Sequence, residues 1–321
     1  MTSKLMLIQD RIYGTFEIDG PVIEELINSK PLQRLKGISQ FGVPEEFYHL
    51  KGFSRYEHCM GVMLLLRMLG ASEEEQIAGL LHDASHAAFS HLYDWVLQSR
   101  GKEDHQDSVH FEKLSKTELP AILKKYNYTL EQVCDYHRFG LLERDAPELC
   151  ADRVDYGLRE FPEIATSDFI SHIIAQDNRM MFSDRESARL FGFNFLDRQK
   201  NHWNGSKYCN SYHYFAEALR RAIELGAVAH EDFDRDDEFV TSKLLACQDE
   251  RIQHILKVLR SDSFSTLPLS DEIIHKKFRY VDPTFLSDGK PVRLSEADEE
   301  YKTALEQART KNRNGPHLVV I

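Results

Sequence analysis

The stretch from Ser54 to His91 constrains this chain more than any other. It opens with SRYEHCMGVMLLLRMLG, an apolar run so wide that most of a helix's circumference must be buried, and Gly70 ends it. SEEEQIAGLLHD follows at once, with Ser72 and Glu75 at capping-box spacing. Two buried helices in succession require a helical core around them. The second helix then runs into GLLHDASHAAFSH, which sets His82, Asp83, His86 and His91 where aliphatic packing has just been established.

Helical periodicity dominates elsewhere, and strands are rare. IDGPVIEELINSKPLQRLKGISQFG reads as two short helices broken at Pro31, the second closed by Gly42 and Pro44. Asp145 as cap and Pro147 at the first helical position open APELCADRVDYGLREF. YHYFAEALRRAIELG and EFVTSKLLACQDERIQHILKVLRS supply two more helices. In the last forty-five residues, KFRYVDPTFL and PHLVVI suggest two short strands flanking a capped, charged helix from Ser295 to about Asn314.

At 321 residues and 42% hydrophobic the chain can bury a sizeable core, as one large domain or a domain with an appendage. Its formal charge of -12 argues against sequence-independent nucleic-acid binding, which needs net positive surface, although a local basic pocket stays open. Five cysteines (Cys59, Cys134, Cys150, Cys209, Cys247) stand singly, with no CxxC pair, and read as reduced thiols. MTSKLMLIQDRIYG is too short in apolar residues for a signal segment, and nowhere do eighteen apolar residues run together. A cytoplasmic protein without membrane contact is expected.

His58 falls on one predicted helix, His82 and Asp83 end the next, and Asp152 lies on a third. Adjacent residues on a helix diverge by about 100°, so His82 and Asp83 converge only where the backbone leaves helical geometry. A mixed nitrogen and oxygen set suits one divalent ion such as Mn, Fe, Ni, Mg or Zn and leaves positions open for water and a substrate oxygen. Asp152, Tyr156 and Arg159 share one helical face through i, i+4 and i+7 spacing.

RYEH (Arg55 to His58), HDxxHxxFSH (His82 to His91) and DRVDYxxR (Asp152 to Arg159) together resemble the HD-domain phosphohydrolases, in the branch of the sterile-alpha-motif/HD-domain dNTP triphosphohydrolases and bacterial dGTPases. YGTFEIDGPVIEELINSKPLQRLKGISQFG is similar to that branch's opening, so the likeness covers residues 12 to about 165 in collinear order. The sterile-alpha-motif domain itself has no counterpart.

The resemblance implies a mainly α fold: an HD-type metal-binding helical core over residues 1–170, and a helical and short-strand region over 171–321 packing on it as a small C-terminal α+β appendage, in one continuous unit. It implies that His58, His82, Asp83 and Asp152 hold the metal. His86 matches a histidine that faces substrate phosphate, and Asp94 a carboxylate that orients a catalytic histidine. That histidine is taken as His105 in EDHQDSVHFEKL, with His110 as its rival. His91 is expected to close the turn, and Asp155 to support the ligands or pair helices. Arg55 and Arg159 are candidate phosphate clamps, because guanidinium forks match phosphate oxygens. Tyr156 resembles a residue beside the sugar, Gln40 one that reads its hydroxyl, and Lys207 in NHWNGSKYCNSYHYF is a candidate phosphate ligand.

The activity implied is metal-assisted hydrolysis of a nucleotide phosphoester, a (deoxy)nucleoside triphosphate first, with in-line attack by water and an imidazolium protonating the leaving oxygen. The alternatives are a phosphohydrolase for nucleoside monophosphates and a sensor that binds nucleotide or RNA with weak or no turnover. A homo-oligomer is compatible with the sequence. Ser85 and Ala88 depart from the Gly and Pro that relatives carry inside the HD motif, which puts the turn presenting His86 in question.

Overall fold

The computed structural model describes residues 6–98, 105–162 and 170–321. It is mainly α-helical. An antiparallel hairpin, β1 (Met6–Asp10) and β2 (Gly14–Ile18), leads into α1 (Pro21–Ile27), α2 (Lys30–Arg34) and the single turn α3 (Glu45–Tyr48). The break between α1 and α2 falls at Asn28–Ser29 instead of Pro31. Proline lacks an N–H that the first turn would leave unpaired anyway, so Pro31 opens α2. A 3-10 turn over Leu35–Gly37 ends that segment before Gly42 is reached.

Helix α4 (Arg55–Met68) carries the wide apolar run, with a full capping box between Ser54 and Glu57 and Gly70 beyond its end at φ +74°. Helix α5 (Glu73–Leu81) is capped by Ser72, which accepts from Glu75 N. The box at α5 is only half made, because Glu75 Oε1 accepts instead from the N–H groups of Leu141 and Leu142 at 2.9 and 3.0 Å and ties the following segment to the helix. Four short helices follow: α6 (Leu92–Val96), α7 (His105–Ser115), α8 (Leu119–Lys125) and α9 (Leu130–Cys134). Helix α10 (Ala151–Glu160) starts later than Pro147 suggests: Asp145–Glu148 makes a turn, and Leu149 and Cys150 are buried before helical geometry begins.

The C-terminal half adds β3 (Ile173–Gln176), β4 (Arg179–Phe182), α11 (Arg185–Arg198), α12 (Ser206–Glu224), α13 (Asp237–Ala246) and α14 (Glu250–Ser261). The segment expected as one helix is two, because Asp249 leaves helical geometry to cap α14 by accepting from Ile252 N. Strand β5 (Leu269–Ile273), the hairpin β6 (Thr284–Ser287) and β7 (Lys290–Arg293), α15 (Leu294–Ala297), α16 (Glu299–Asn314) and β8 (His317–Val319) complete it. The two anticipated C-terminal strands, β6 and β8, belong to different sheets: β3-β4-β6-β7, with β4 and β6 parallel, and an antiparallel β5-β8 pair. Asp298 interrupts the charged helix to cap α16 through Tyr301 N.

Two apolar clusters form the interior. One includes Leu66, Leu80, Phe191 and Tyr301, the other Phe47, Trp95, Phe215 and Leu256, so each draws residues from both sides of position 170. Tyr156 packs on both, at their seam. All five cysteines are free thiols, and among the described residues no helix is long and apolar enough to cross a membrane.

Candidate metal centre

Three elements converge at this seam. His58 lies one turn into α4, His82 follows the last residue of α5 with Asp83 in the turn beyond, and Asp152 sits in the first turn of α10. His58 Nε2 stands 3.2 Å from His82 Nε2, 2.9 Å from Asp152 Oδ1 and 3.7 Å from Asp83 Oδ2. His82 Nε2 is 3.6 Å from both Asp83 Oδ1 and Asp152 Oδ1. Four side chains named from three separate segments are therefore brought together.

The opposite ring nitrogens decide what these atoms offer. His58 Nδ1 donates to Asp155 Oδ2 at 2.7 Å, and His82 Nδ1 donates to Gly79 O at 2.7 Å. Since neither acceptor carries a proton to give, both Nε2 atoms of the neutral rings present lone pairs. Both lone pairs then meet carboxylate oxygens of Asp83 and Asp152 inside the protein, an arrangement that only positive charge between them relieves. Burial opposes charge on His58 and His82, but the carboxylates outweigh it and hold both pKa values above the usual histidine range. The field that draws protons there draws a cation equally, and two imidazoles with two carboxylates fit a divalent ion.

Neighbours hold this set rigid. Arg55 donates from Nη1 to Asp83 Oδ2 at 2.5 Å and from Nε to Ser90 Oγ at 2.9 Å. Burial raises the Asp83 pKa, but Arg55 and the adjacent histidines bring it well below the carboxylate range. Phe89 and Ser90 both adopt left-handed backbone, at φ +64° and +53°. The turn is pinned from outside: Asp237 Oδ1 accepts from Phe89 N at 2.7 Å, Phe233 O accepts from Ala88 N at 2.8 Å, and Ser90 Oγ donates to Ser39 O at 2.6 Å. These contacts hold the turn without the family's Gly and Pro. Asp155 also accepts from Arg159 Nε at 2.8 Å. Gly61 on α4 allows this approach, since a Cβ there would come within 2.0 Å of both Asp155 Oδ1 and Arg159 Nη2.

A cavity of about 530 Å³ opens from the cluster. Arg55, His82, Asp83, His86, Asp152 and Arg153 line it, as do Phe41, Tyr48, Tyr156, His202, Trp203 and Tyr212, whose rings contact one another. Glu160 orders part of the aromatic lining, with its Oε2 2.5 Å from His202 Nδ1 and its Oε1 accepting from Trp203 Nε1 at 2.9 Å. Gln40 also lines the cavity, and its Oε1 is buried without a hydrogen-bond partner among the described residues.

The other anticipated residues divide. His86 lines the cavity with Nε2 3.2 Å from Asp83 Oδ1, and burial together with Arg55 holds its pKa well below the histidine range, so its ring is neutral. His91 does not merely close the turn: it lines the cavity edge-on to His86, with Nδ1 3.4 Å from Asp94 Oδ2. His105 does not line the cavity, and it donates its backbone N–H to Asp94 Oδ1 at 3.1 Å while its ring lies against Tyr93. His110 lines the cavity but is occupied at both nitrogens, by Ser85 Oγ at 2.7 Å and by the Tyr136 hydroxyl, and burial lowers its pKa to about 4. Arg159 is buried in ion pairs with Asp155 and Asp10, away from the cavity lining, and so is spent on structure. Lys207 is also off the cavity, paired with Asp262 at 2.7 Å on the surface.

Sequence reasoning did not single out Glu143, Arg153 or the run Lys276 to Tyr280, all of which line the cavity. Burial, with Asp152 beside it, pushes the Glu143 pKa up to about 7. Arg153 stands next to a predicted ligand, a signal that was available. The later run carries no motif linking it to the site.

Comparison with known proteins agrees with this geometry. A family model described as HD domain matches residues 55–159. Uncharacterized protein YdhJ of Bacillus subtilis is 36% identical over 98% of this chain and 99% of its own length. Metal-dependent phosphohydrolase cns2 of Cordyceps militaris is 32% identical over 70% of this chain and 68% of its own. The mouse deoxynucleoside triphosphate triphosphohydrolase SAMHD1 is 29% identical, over 40% of this chain and 23% of its length. A hypothetical protein from Aquifex aeolicus of known structure aligns with a TM-score of 0.66 at 19% identity, covering 96% of this chain and 99% of that one, a likeness of fold. A helical scaffold that gathers histidines and aspartates around one point defines a metal-dependent hydrolase. The chain belongs to the HD-domain phosphohydrolases, and its activity depends on a divalent metal.

Proposed function

We propose that the chain hydrolyses a nucleotide phosphoester, with a (deoxy)nucleoside triphosphate as the first candidate, at a single divalent ion held by His58, His82, Asp83 and Asp152. The observation that carries this reading is the mixed lining of the cavity, with metal-binding and cationic groups together with six aromatic or imidazole rings. A phosphate needs the first group and a nucleobase with its sugar suits the second.

When bound, the ion supplies Lewis-acid charge for a phosphoryl oxygen and acidifies water. The chain's own residues do the rest. Arg55 holds Asp83 in place and adds positive charge where phosphate charge gathers. His86, neutral, donates its one N–H from Nε2 to Asp83 Oδ1 and so steadies that carboxylate beside the phosphate. The approach of Asp94 to His91 Nδ1 supports His91 over His105 as the group that protonates the leaving oxygen, through Nε2. Gln40, whose buried Oε1 lacks a partner among the described residues, meets a sugar hydroxyl once its amide turns into the cavity, and Tyr156 is an aromatic platform for the sugar.

The test is incubation of purified protein with Mn, Ni, Mg or Fe and a mixed nucleotide pool, with products identified by mass spectrometry. Release of tripolyphosphate and nucleoside is the expected result. Binding of a nucleotide without release of phosphate, pyrophosphate or tripolyphosphate would replace this reading by the sensor.

A further inference from the structure

The cavity's outer wall is built by a segment far from the HD motifs. Between β5 and β6 the chain runs as HKKFRY without regular secondary structure, and Lys276, Lys277, Phe278, Arg279 and Tyr280 all line the cavity. It is a strap fixed at both ends. Ile274 N donates to Pro316 O at 2.9 Å, and Lys276 O accepts from Asn312 Nδ2 at 3.2 Å. Arg279 N donates to Gln199 Oε1 at 3.1 Å, Val281 O accepts from Tyr301 OH at 2.6 Å, and Asp282 N donates to Pro147 O at 3.0 Å. These bonds to Gln199, α16, Pro316 and the turn before α10 fix the strap's backbone, and its side chains line the cavity.

Three of its five residues are cations, in a chain whose formal charge is -12. Lys276 Nζ lies 3.9 Å from the Tyr212 ring centroid and 5.9 Å from that of Trp95, so it anchors the strap to the aromatic lining. Lys277 is exposed, and Arg279 is half-buried. Lys277 shares the cavity lining with Asp107 of α7, whose pKa burial raises while His91 and Lys277 oppose the rise. Arg279 shares the lining with Tyr156 of α10 and opposes the rise that burial causes in its pKa.

Charge balance gives these cations a task. The two charges of a divalent ion held with Asp83 and Asp152 would be matched by those carboxylates, and Arg55 is already bonded to Asp83. A substrate with several phosphates brings charge that this inner set leaves unbalanced.

We propose that the strap Lys276–Tyr280 is an anion-binding wall, in which Lys277 and Arg279 grip the phosphates of a polyphosphate chain and thereby set selectivity by phosphate number. This rests on the reading of the cavity as a phosphoester site. Lys277→Gln with Arg279→Gln removes both charges without touching the predicted metal ligands or the backbone bonds of the strap.

The probes are inorganic tripolyphosphate and inorganic phosphate, titrated calorimetrically into metal-loaded protein in Mg-saturated buffer. Loss of two charge-assisted contacts is expected to weaken tripolyphosphate binding at least about tenfold and phosphate binding far less. Metal content stays at the wild-type value, KM for a hydrolysed nucleotide rises more than kcat falls, and Lys277→Arg with Arg279→Lys restores binding. Wild-type protein that does not bind tripolyphosphate, or a double Gln variant that binds it as tightly as wild type, overturns the proposal. Strap-dependent binding in a protein that hydrolyses no nucleotide would uphold the strap and sink the hydrolase reading, so the two failures are distinguishable.

Discussion

His58 Nδ1 donates to Asp155 Oδ2 at 2.7 Å, and through this bond a carboxylate that touches no substrate controls which face His58 turns to the metal cluster. The bond fixes the proton on Nδ1 and the lone pair on Nε2. Asp155→Asn is expected to lower metal affinity by about 10–100-fold, the usual consequence of losing such support. Competition titration against a chelator measures it, and unchanged affinity would show that α4 packing alone orients His58.

Arg159 separates structure from recognition. It is buried between Asp155 and Asp10, so Arg159→Ala leaves two buried carboxylates short of a partner and is expected to cost about 3–5 kcal/mol. Denaturant unfolding should show this loss, while KM of the surviving folded fraction stays near wild type. A KM rise without a stability loss would return Arg159 to the substrate.

His91 and His105 make opposite predictions. His91 lines the cavity with Asp94 beside its Nδ1, whereas the His105 backbone meets Asp94 and His105 lies off the cavity lining. His91→Ala is expected to keep its metal and lose about 10²–10⁴-fold in kcat, the range for a general acid. His105→Ala should lose far less. Equal losses would mean that Asp94 works through both rings.

Asp237 gives the fold a pH dependence. Burial lifts its pKa to about 7 even though it accepts from the N–H groups of Ser39 and Phe89. The folded chain therefore holds this proton more tightly than the unfolded chain. Its contribution is full below about pH 4 and is lost as pH rises through about 7, at about 1.4 kcal/mol per unit crossed. Relative to Asp237→Asn, the wild-type Tm should fall over that window. Parallel Tm curves would mean that Asp237 stays ionised in the folded protein.

Residues that act through short-range pattern were readable in the sequence. The helices carrying His58, His82 and Asp152 announce themselves by apolar runs and caps, and the four predicted ligands do converge. Hairpins of four or five residues per strand, such as β1-β2 and β3-β4, were missed because they complete barely two repeats of the alternating pattern. Arg159 and Lys207 look like phosphate ligands in one dimension, and only packing shows that Asp10 and Asp262 engage them. Asp237 meets Phe89 across 148 residues of sequence, and the 276–280 strap joins the cavity from far beyond the HD motifs, separations that no local spacing encodes.

The central claim is that His58, His82, Asp83 and Asp152 surround one divalent cation. Anomalous diffraction from crystals grown with Mn tests it most directly. The account predicts a single strong peak bonded to His58 Nε2, His82 Nε2 and one oxygen each of Asp83 and Asp152, at about 2.0–2.3 Å, and its disappearance in Asp83→Ala. A peak elsewhere, or none at this point in protein that hydrolyses its substrate, would contradict it.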